Sequence, residues 1–358
     1  MGKNDGMNYA PQGRPKPVCQ KGEFVMAVVG LHHGHIYGMT NGLLEAGAQI
    51  KWVYDDDKQK VADFVRRYPE ARAALSESQV LEDPDVQLVA SACIPCNRAE
   101  LGIRVMEHGK DYFVDKAPLT TLTQLERVKQ AISRSSRKYH VYYSERLHVE
   151  SAVFAGQLIQ DNAIGRVVQV LGTGPHRMNA PSRPKWFFER ERYGGILCDI
   201  GSHQIEQFLY FSGASDAEVI SSKIANYNHK QYANFEDFGD ATLVADNGAT
   251  NYFRVDWFTP DGLGTWGDGR TFILGTKGYI ELRKYIDIGR DPDGDHVYLA
   301  NDEGEYHIPV KGKVGYPYFG DLILDCLHRT DRAMSQEHTL KAAELSVQAQ
   351  MQAIVVEN

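Results

Sequence analysis

No stretch of this 358-residue chain stays apolar for the roughly 20 residues that a membrane-spanning helix needs, so no span is expected. Basic residues are in deficit, with 39 Lys and Arg against 47 Asp and Glu and a formal net charge of -8. That balance argues against nucleic acid or an anionic membrane as a general partner, since both need a basic face. Cysteine is sparse: five thiols over this length suit a reduced cytoplasm and not a disulfide framework. Residues 1–22 have no apolar core segment, so they read as an extension and not as a secretory signal. Also missing is part of a G-x-G-x-x-G glycine signature. What remains is ordinary for a globular protein, 42% hydrophobic and 24% charged, and long enough for two cores.

The chain is organised around Glu23 to Asp55. Phe24 to Val29 is a continuous apolar run, as a parallel strand buried on both faces requires. Gly30 ends it at a tight turn. Ile36, Met39, Leu43 and Leu44 recur at helical spacing, and Gly47 stops that helix. A second strand, Ile50 to Tyr54, delivers Asp55. This is the layout of a dinucleotide-binding βαβ unit, in which a helix N-terminus faces a pyrophosphate. An acid at the tip of the second strand suits the ribose hydroxyls of NAD and repels the 2′-phosphate of NADP. Glycine is absent from positions 32 and 35, where the G-x-G-x-x-G spacing wants it. His32 and His35 stand there instead, and Gly34 is out of phase.

Strand and helix alternate onward. Lys58 to Tyr68, Ala99 to His108 and the segment carrying Leu122, Leu125, Val128 and Ile132 read as helices, the last with Thr121 and Gln124 as a capping box. Val86 to Ala92, Asp111 to Val114 and His140 to Ser144 read as strands. This predicts a doubly wound parallel sheet ending near residue 148. Beyond it, Arg166 to Gly172, Val219 to Tyr227, Ala241 to Ala245 and Thr250 to Phe258 are strand-like with few helices between. Asn247-Gly248, Lys277-Gly278 and Asp293-Gly294 are turn signals. A terminal helix places Leu340, Ala343, Val347, Met351 and Ile354 on one face. The expected fold is therefore an α/β Rossmann domain followed by an α+β domain with an open, mainly antiparallel sheet. The expected boundaries are extension 1–22, dinucleotide domain 23–148 and substrate-binding and oligomerisation domain 149–358.

Two stretches carry reactive groups. Lys116 follows the strand Asp111 to Val114, at the carboxyl edge of the parallel sheet where ligands of such folds bind. A lysine there can hydrogen-bond a hydroxyl and stabilise alkoxide charge. On one helix, Asp199, His203 and Glu206 would project from a single face, and an acid beside an imidazole suits a general base. The same three read as a metal site lack a fourth ligand. His32, His33 and His35 sit too close along a turn for all three to face one ion, so no metal is expected. Cys93 and Cys96 end a strand and read as free thiols, and Asp291 to Asp295 reads as a hairpin turn, not a calcium loop. Tyr143, Arg146, His176, Arg183, Lys185 and Trp186 form a polar and aromatic set suited to a sugar.

The βαβ start, the turn Asp115-Lys116-Ala117-Pro118 and the run Gly194-Gly195-Ile196-Leu197-Cys198-Asp199-Ile200-Gly201-Ser202-His203 together resemble the Gfo/Idh/MocA family. These are the glucose–fructose oxidoreductase, inositol dehydrogenase and related NAD(P)-dependent enzymes. The resemblance covers nearly the whole chain after residue 22. It implies Lys116, Asp199 and His203 as the catalytic set and Asp55 on the adenosine ribose. Gly30, His32, His33, His35 and Lys116 would then meet the cofactor, NAD. Lys116, Arg146, His176, Arg183, Lys185, Trp186, Asp199 and His203 would meet the substrate. It also implies a homodimer or homotetramer formed through the open sheet. The chain departs from the family at the glycine turn, at Arg98, where a histidine is common, and at Glu206, where the family has aspartate.

The reading that follows is an NAD-dependent oxidoreductase working on a carbohydrate or polyol hydroxyl. An alternative within the same resemblance is an NAD-dependent glycoside hydrolase, which oxidises a ring hydroxyl transiently and needs a second base, Tyr143, Tyr193 or His176. A silent nucleotide-binding regulator is a third reading, opposed by the joint presence of Lys116, Asp199 and His203.

Overall fold

The computed structural model describes residues 5–357, which divide into two compact units. One comprises residues 7–142 and 317–339. Its sheet holds β1 (Val25–Val29), β2 (Gln49–Tyr54), β3 (Arg72–Ala73), β4 (Leu88–Ser91), β5 (Asp111–Asp115) and β6 (Tyr139–Tyr142). All pair in parallel, in the order β3-β2-β1-β4-β5-β6. The helices are α1 (His35–Glu45), α2 (Lys58–Arg67), α3 (Glu77–Leu81), α4 (Pro95–Glu107) and α5 (Leu122–Ser135). β4, β5 and β6 are buried along their whole length, so apolar and aromatic residues dominate them, with Ser91, Asp111, Asp115 and His140 as buried polar exceptions. Asp57, Ser76 and Thr121 cap α2, α3 and α5, and Pro95 opens α4 where its missing N–H costs nothing. Gln124 reaches back to the N–H of Thr120 (2.9 Å), one residue before the expected capping-box partner.

The strand order reverses between β1 and β4, so this is the switch point at which the carboxyl ends of β1, β2, β4 and β5 open a crevice. Gly30, Asp55, Cys93 and Lys116 all lie at that edge. Gly30 is needed there twice over: its φ is +87°, and a Cβ would stand 2.6 Å from that of Cys93.

Two segments belong to this unit that the sequence reading put elsewhere. Residues 7–19 run beside α1, with Gly13 N–H donating to the Glu45 carboxylate (2.9 and 3.0 Å) and Val18 N–H to the Ala46 carbonyl (2.9 Å). A later helix (Pro317–His328) also returns to it. Phe319 packs near Phe113 and Tyr142 and fills the space left by Gly42. Arg329, just beyond that helix, donates to Asp111 on β5 (2.8 Å).

The other unit takes in residues 5–6, 143–316 and 340–357. It contains α6 (Ser144–Leu147), α7 (Glu150–Gln160), β7 (Val167–Pro175), α8 (Arg190–Tyr193), α9 (Ile196–Asp199), α10 (Gly201–Ser212), β8 (Ala217–Ala225), β9 (Phe238–Ala245) and β10 (Thr250–Asp256). Then come β11 (Arg270–Gly275), β12 (Gly278–Arg283), β13 (His296–Asn301) and β14 (Gly304–Pro309). The returning helix is α11, and α12 (Gln336–Met351) precedes β15 (Ile354–Val355). The sheet order is β14-β13-β12-β11-β7-β10-β9-β8-β15, antiparallel except for β7 with β10 and β8 with β15. The turns at Asn247-Gly248 and Lys277-Gly278 join hairpins as read, whereas Asp293-Gly294 lies in a longer connection. Met351 and Ile354 are exposed and do not extend the buried face of α12. α10 lies against β7, where Gly172 and Gly174 leave room for the Gln204 amide.

His140 on β6 is buried, with its Nε2 3.8 Å from the Cys326 thiol. Burial pushes its pKa down from 6.5 to about 4. The unfolded chain therefore binds more protons between pH 6.5 and pH 4, and the stability tied to the neutral ring is full above that window and lost as pH falls through it. The full loss is about 3 kcal/mol. Urea denaturation of His140→Leu across this range will show a shallower fall in stability than the parent; an equal slope refutes the assignment.

Candidate active site

The glycine-poor turn builds its own support. Gly30 N–H donates to the Tyr54 carbonyl (2.9 Å) and His33 N–H to that of Ala92 (2.9 Å), tying the turn to β2 and β4. Asp55 is buried; its Oδ2 accepts from Leu31 N–H (2.6 Å) and its Oδ1 from Asp57 N–H (2.9 Å). His32, partly exposed, lies 3.4 Å from the same carboxylate. A carboxylate has about four acceptor positions, so two backbone donors leave capacity for ribose hydroxyls. Gly34 turns out to be required, though not for the motif: the Met7 carbonyl passes 2.2 Å from where its Cβ would be. The donor set, the acid at the tip of β2 and the start of α1 fit an NAD molecule.

His33 and His35 converge on one group, Asp115, at 3.4 and 2.9 Å. The reading that three histidines cannot share a centre holds for His32, which faces Asp55, and misses this pairing. His33 Nδ1 accepts from His35 N–H (3.2 Å), so its neutral form carries the proton on Nε2. Burial lowers the His33 pKa well below normal, helped by the charges of His35, Lys116 and Arg98 and opposed by Asp115. Burial alone would raise the Asp115 carboxyl, but His35, Arg98 and His33 hold it far below the usual range. Although His33, His35 and Asp115 could hold an ion by spacing, the Arg98 guanidinium already sits 3.1 Å from Asp115 and supplies the cation. Lys116, buried, follows directly, and its peptide bond to Ala117 is cis.

In the mixed-sheet unit the helix expected to carry Asp199, His203 and Glu206 is broken at Ile200. Asp199 closes α9, and His203 sits in the first turn of α10, its N–H on the Ile200 carbonyl (3.1 Å). Both side chains are buried, and the His203 ring meets that of Tyr143 edge-on at 6.4 Å. Glu206 does not join them. It pairs with Arg146 (Nε to Oε1, 2.7 Å), and that guanidinium also lies 3.8 Å over the Tyr210 ring. This buried ion pair occupies Arg146, which the sequence reading assigned to substrate, and it removes Glu206 from any metal set with Asp199 and His203. Arg183 donates to the carbonyls of Met178 (2.9 Å) and Arg177 (3.1 Å) and lies over Phe187 and Trp257. His176 packs between Trp257 and Trp266, Trp186 is buried and Lys185 is exposed. Asp5 and Gly6 also reach this loop: Asn179 and Ser182 donate to Asp5 (2.9 and 3.2 Å), and Gly6 fits against His176 where a Cβ would not. Nothing in the first 22 residues signalled that.

Residues 24–143 match the model of an oxidoreductase family with an NAD-binding Rossmann fold, and residues 153–281 match the GFO/IDH/MocA C-terminal domain. The chain belongs to the GFO/IDH/MocA oxidoreductase family. Its GFO/IDH/MocA fold is closely matched by a crystal structure from Erwinia carotovora atroseptica SCRI1043, provisionally described as an oxidoreductase. That protein is 50% identical, with a TM-score of 0.91 over 94% of this chain and 100% of the other. Levoglucosan dehydrogenase of Pseudarthrobacter phenanthrenivorans is 25% identical over 53% of this chain, a match spanning 52% of that enzyme's length. The NAD(+)-dependent scyllo-inositol 2-dehydrogenase of Bacillus subtilis is 24% identical over 71% of this chain and 72% of its own. The parallel unit is thus an NAD-binding Rossmann domain of this family.

Asp55→Ala will weaken NADH binding by roughly 10- to 100-fold, the worth of charge-assisted hydrogen bonds, and will narrow or invert the preference over NADPH. Titration of nicotinamide fluorescence measures both; unchanged NADH affinity would remove Asp55 from the adenosine end.

Proposed function

We propose that this protein is an NAD-dependent dehydrogenase of a carbohydrate or polyol hydroxyl. The observation that carries the reading is the placement of Lys116, a buried amine at the carboxyl end of β5, in the electrostatic surroundings of His33 on the cofactor turn. Gly30, His32, His33, His35 and Asp55 would hold NAD, which when bound accepts or returns a hydride. Lys116 donates a hydrogen bond to the hydroxyl oxygen and stabilises its developing charge. His203 takes the hydroxyl proton, and Asp199 orients the proton acceptor. His176, Arg183, Lys185 and Trp186 supply the polar and aromatic surroundings that suit a sugar. The dehydrogenases among its relatives support this class, and none of those named supports the glycosidase alternative.

The working form we propose is a homodimer or homotetramer in the cytoplasm. None of the five cysteines, all among the described residues, is joined in a disulfide, in keeping with a reducing compartment. Leu171, Tyr252, Leu274 and Tyr279 are each 37–42% exposed on the mixed sheet. Leu171 stands opposite Tyr252 across β7 and β10, and Leu274 opposite Tyr279 across β11 and β12, so they form one apolar surface. A second copy of the same face would cover it. Tyr252→Glu will lower the mass measured by sedimentation; an unchanged mass takes this face out of the assembly.

A panel of free sugars, polyols and aryl glycosides, followed both by NADH absorbance and by aglycone release, tests the chemistry. NADH formation with a free sugar or polyol is expected. Aglycone release without net NADH would replace the reading with the glycosidase one. Lys116→Met and His203→Asn will each reduce turnover by about 10²-fold or more while NADH binding changes little. Normal turnover in both variants would overturn the assignment.

A further inference from the structure

Arg98 has no exposed surface and sits in the first turn of α4. A buried guanidinium costs several kcal/mol in lost hydration unless its donors are met. Here all three nitrogens donate. Nε reaches the Cys93 carbonyl (2.7 Å) and Nη2 the Asp115 carboxylate (3.1 Å). Nη1 reaches the carbonyls of Asp115 and Ala117 (3.2 Å each) and, between them, that of Lys116. Three of these acceptors are consecutive carbonyls of one tripeptide. Fixing the direction of successive carbonyls fixes the backbone from which the Lys116 side chain departs. A residue whose task was to fill the core would be apolar and would leave those carbonyls to other donors.

We propose that Arg98 is the positioning residue for Lys116, and that through Asp115 it locks the lysine turn to the cofactor turn. The second link is the Asp115 carboxylate, which accepts from Arg98 on one oxygen and pairs with His35 Nδ1 on the other (2.9 Å). Arg98 therefore acts on the reaction without touching substrate. A lysine cannot replace it: an ammonium is a point donor and cannot span Cys93, Asp115 and the 115–117 carbonyls as a planar fork does. The inference rests on the role of Lys116 proposed above.

The test uses the full-length enzyme with NAD and the sugar or polyol turned over best in the panel. Arg98→Lys, Lys116→Met and their combination are compared. Arg98→Lys is expected to lower kcat by about 10- to 100-fold, the penalty for misplacing a catalytic group by about an ångström, with KM moving less than about threefold. Amide hydrogen exchange will accelerate in peptides covering 111–121. In the Lys116→Met background the same change will cost little further, because the group being positioned is gone. Wild-type kcat in Arg98→Lys, or a loss that adds in full to that of Lys116→Met, overturns the positioning role while leaving the function intact. Normal turnover in Lys116→Met sinks the functional reading itself. Should Arg98→Lys fail to fold, Asp115→Asn keeps an acceptor but cuts the charge, and the same non-additive loss is expected; a fully additive or absent loss counts against the proposal.

Discussion

The candidate site depends on one buried carboxylate. Asp115 ends β5 with no exposed surface and is bordered by Arg98, His35 and His33. Removing such a charge from water is tolerable only with paired, hydrogen-bonded partners, and these come from two other segments of the parallel unit. Arg98 belongs to α4, His33 to the turn after β1 and His35 to the start of α1 directly behind it. The carboxylate thus draws three carboxyl-edge loops into a single arrangement. A sheet alone would place those loops side by side without setting their mutual geometry.

The same cluster explains how a Rossmann turn functions with so few glycines. Where the glycine signature keeps side chains away from the helix N-terminus, this chain places imidazoles there and gives them occupations. His33 accepts from the first helical N–H, His35 faces Asp115 and His32 faces Asp55. A close backbone approach falls at Gly34, where residue 7 of the extension passes. Side-chain chemistry has taken over work that is elsewhere left to the absence of side chains.

Much of the parallel unit was legible from residue pattern because doubly buried strands must be apolar, and caps such as Asp57, Ser76 and Thr121 announce helix starts. Strand position and helix spacing suggested Lys116, Asp199 and His203 as reactive groups, and the family resemblance implied the joint catalytic set proposed for them. Three things were hidden. The break at Ile200 is invisible because the apolar spacing continues through it. The pairing of Arg146 with Glu206 joins residues far apart in sequence, and charge pairs of that kind leave no local signal. The apolar face of Pro317–His328 says that the helix is buried, but not against which sheet.

That last helix has a consequence for how the protein comes into being. During synthesis the six parallel strands emerge within the first 142 residues, yet the Phe319 side chain that fills the gap beside Gly42, and the Arg329 that meets Asp111, arrive much later. The whole strand-rich region 143–316 lies between. Contacts of such sequence separation are slow to close and leave partly built surfaces open in the meantime. On a ribosome, where early domains ordinarily fold first, this nucleotide-binding half is finished only after most of its neighbour has been made.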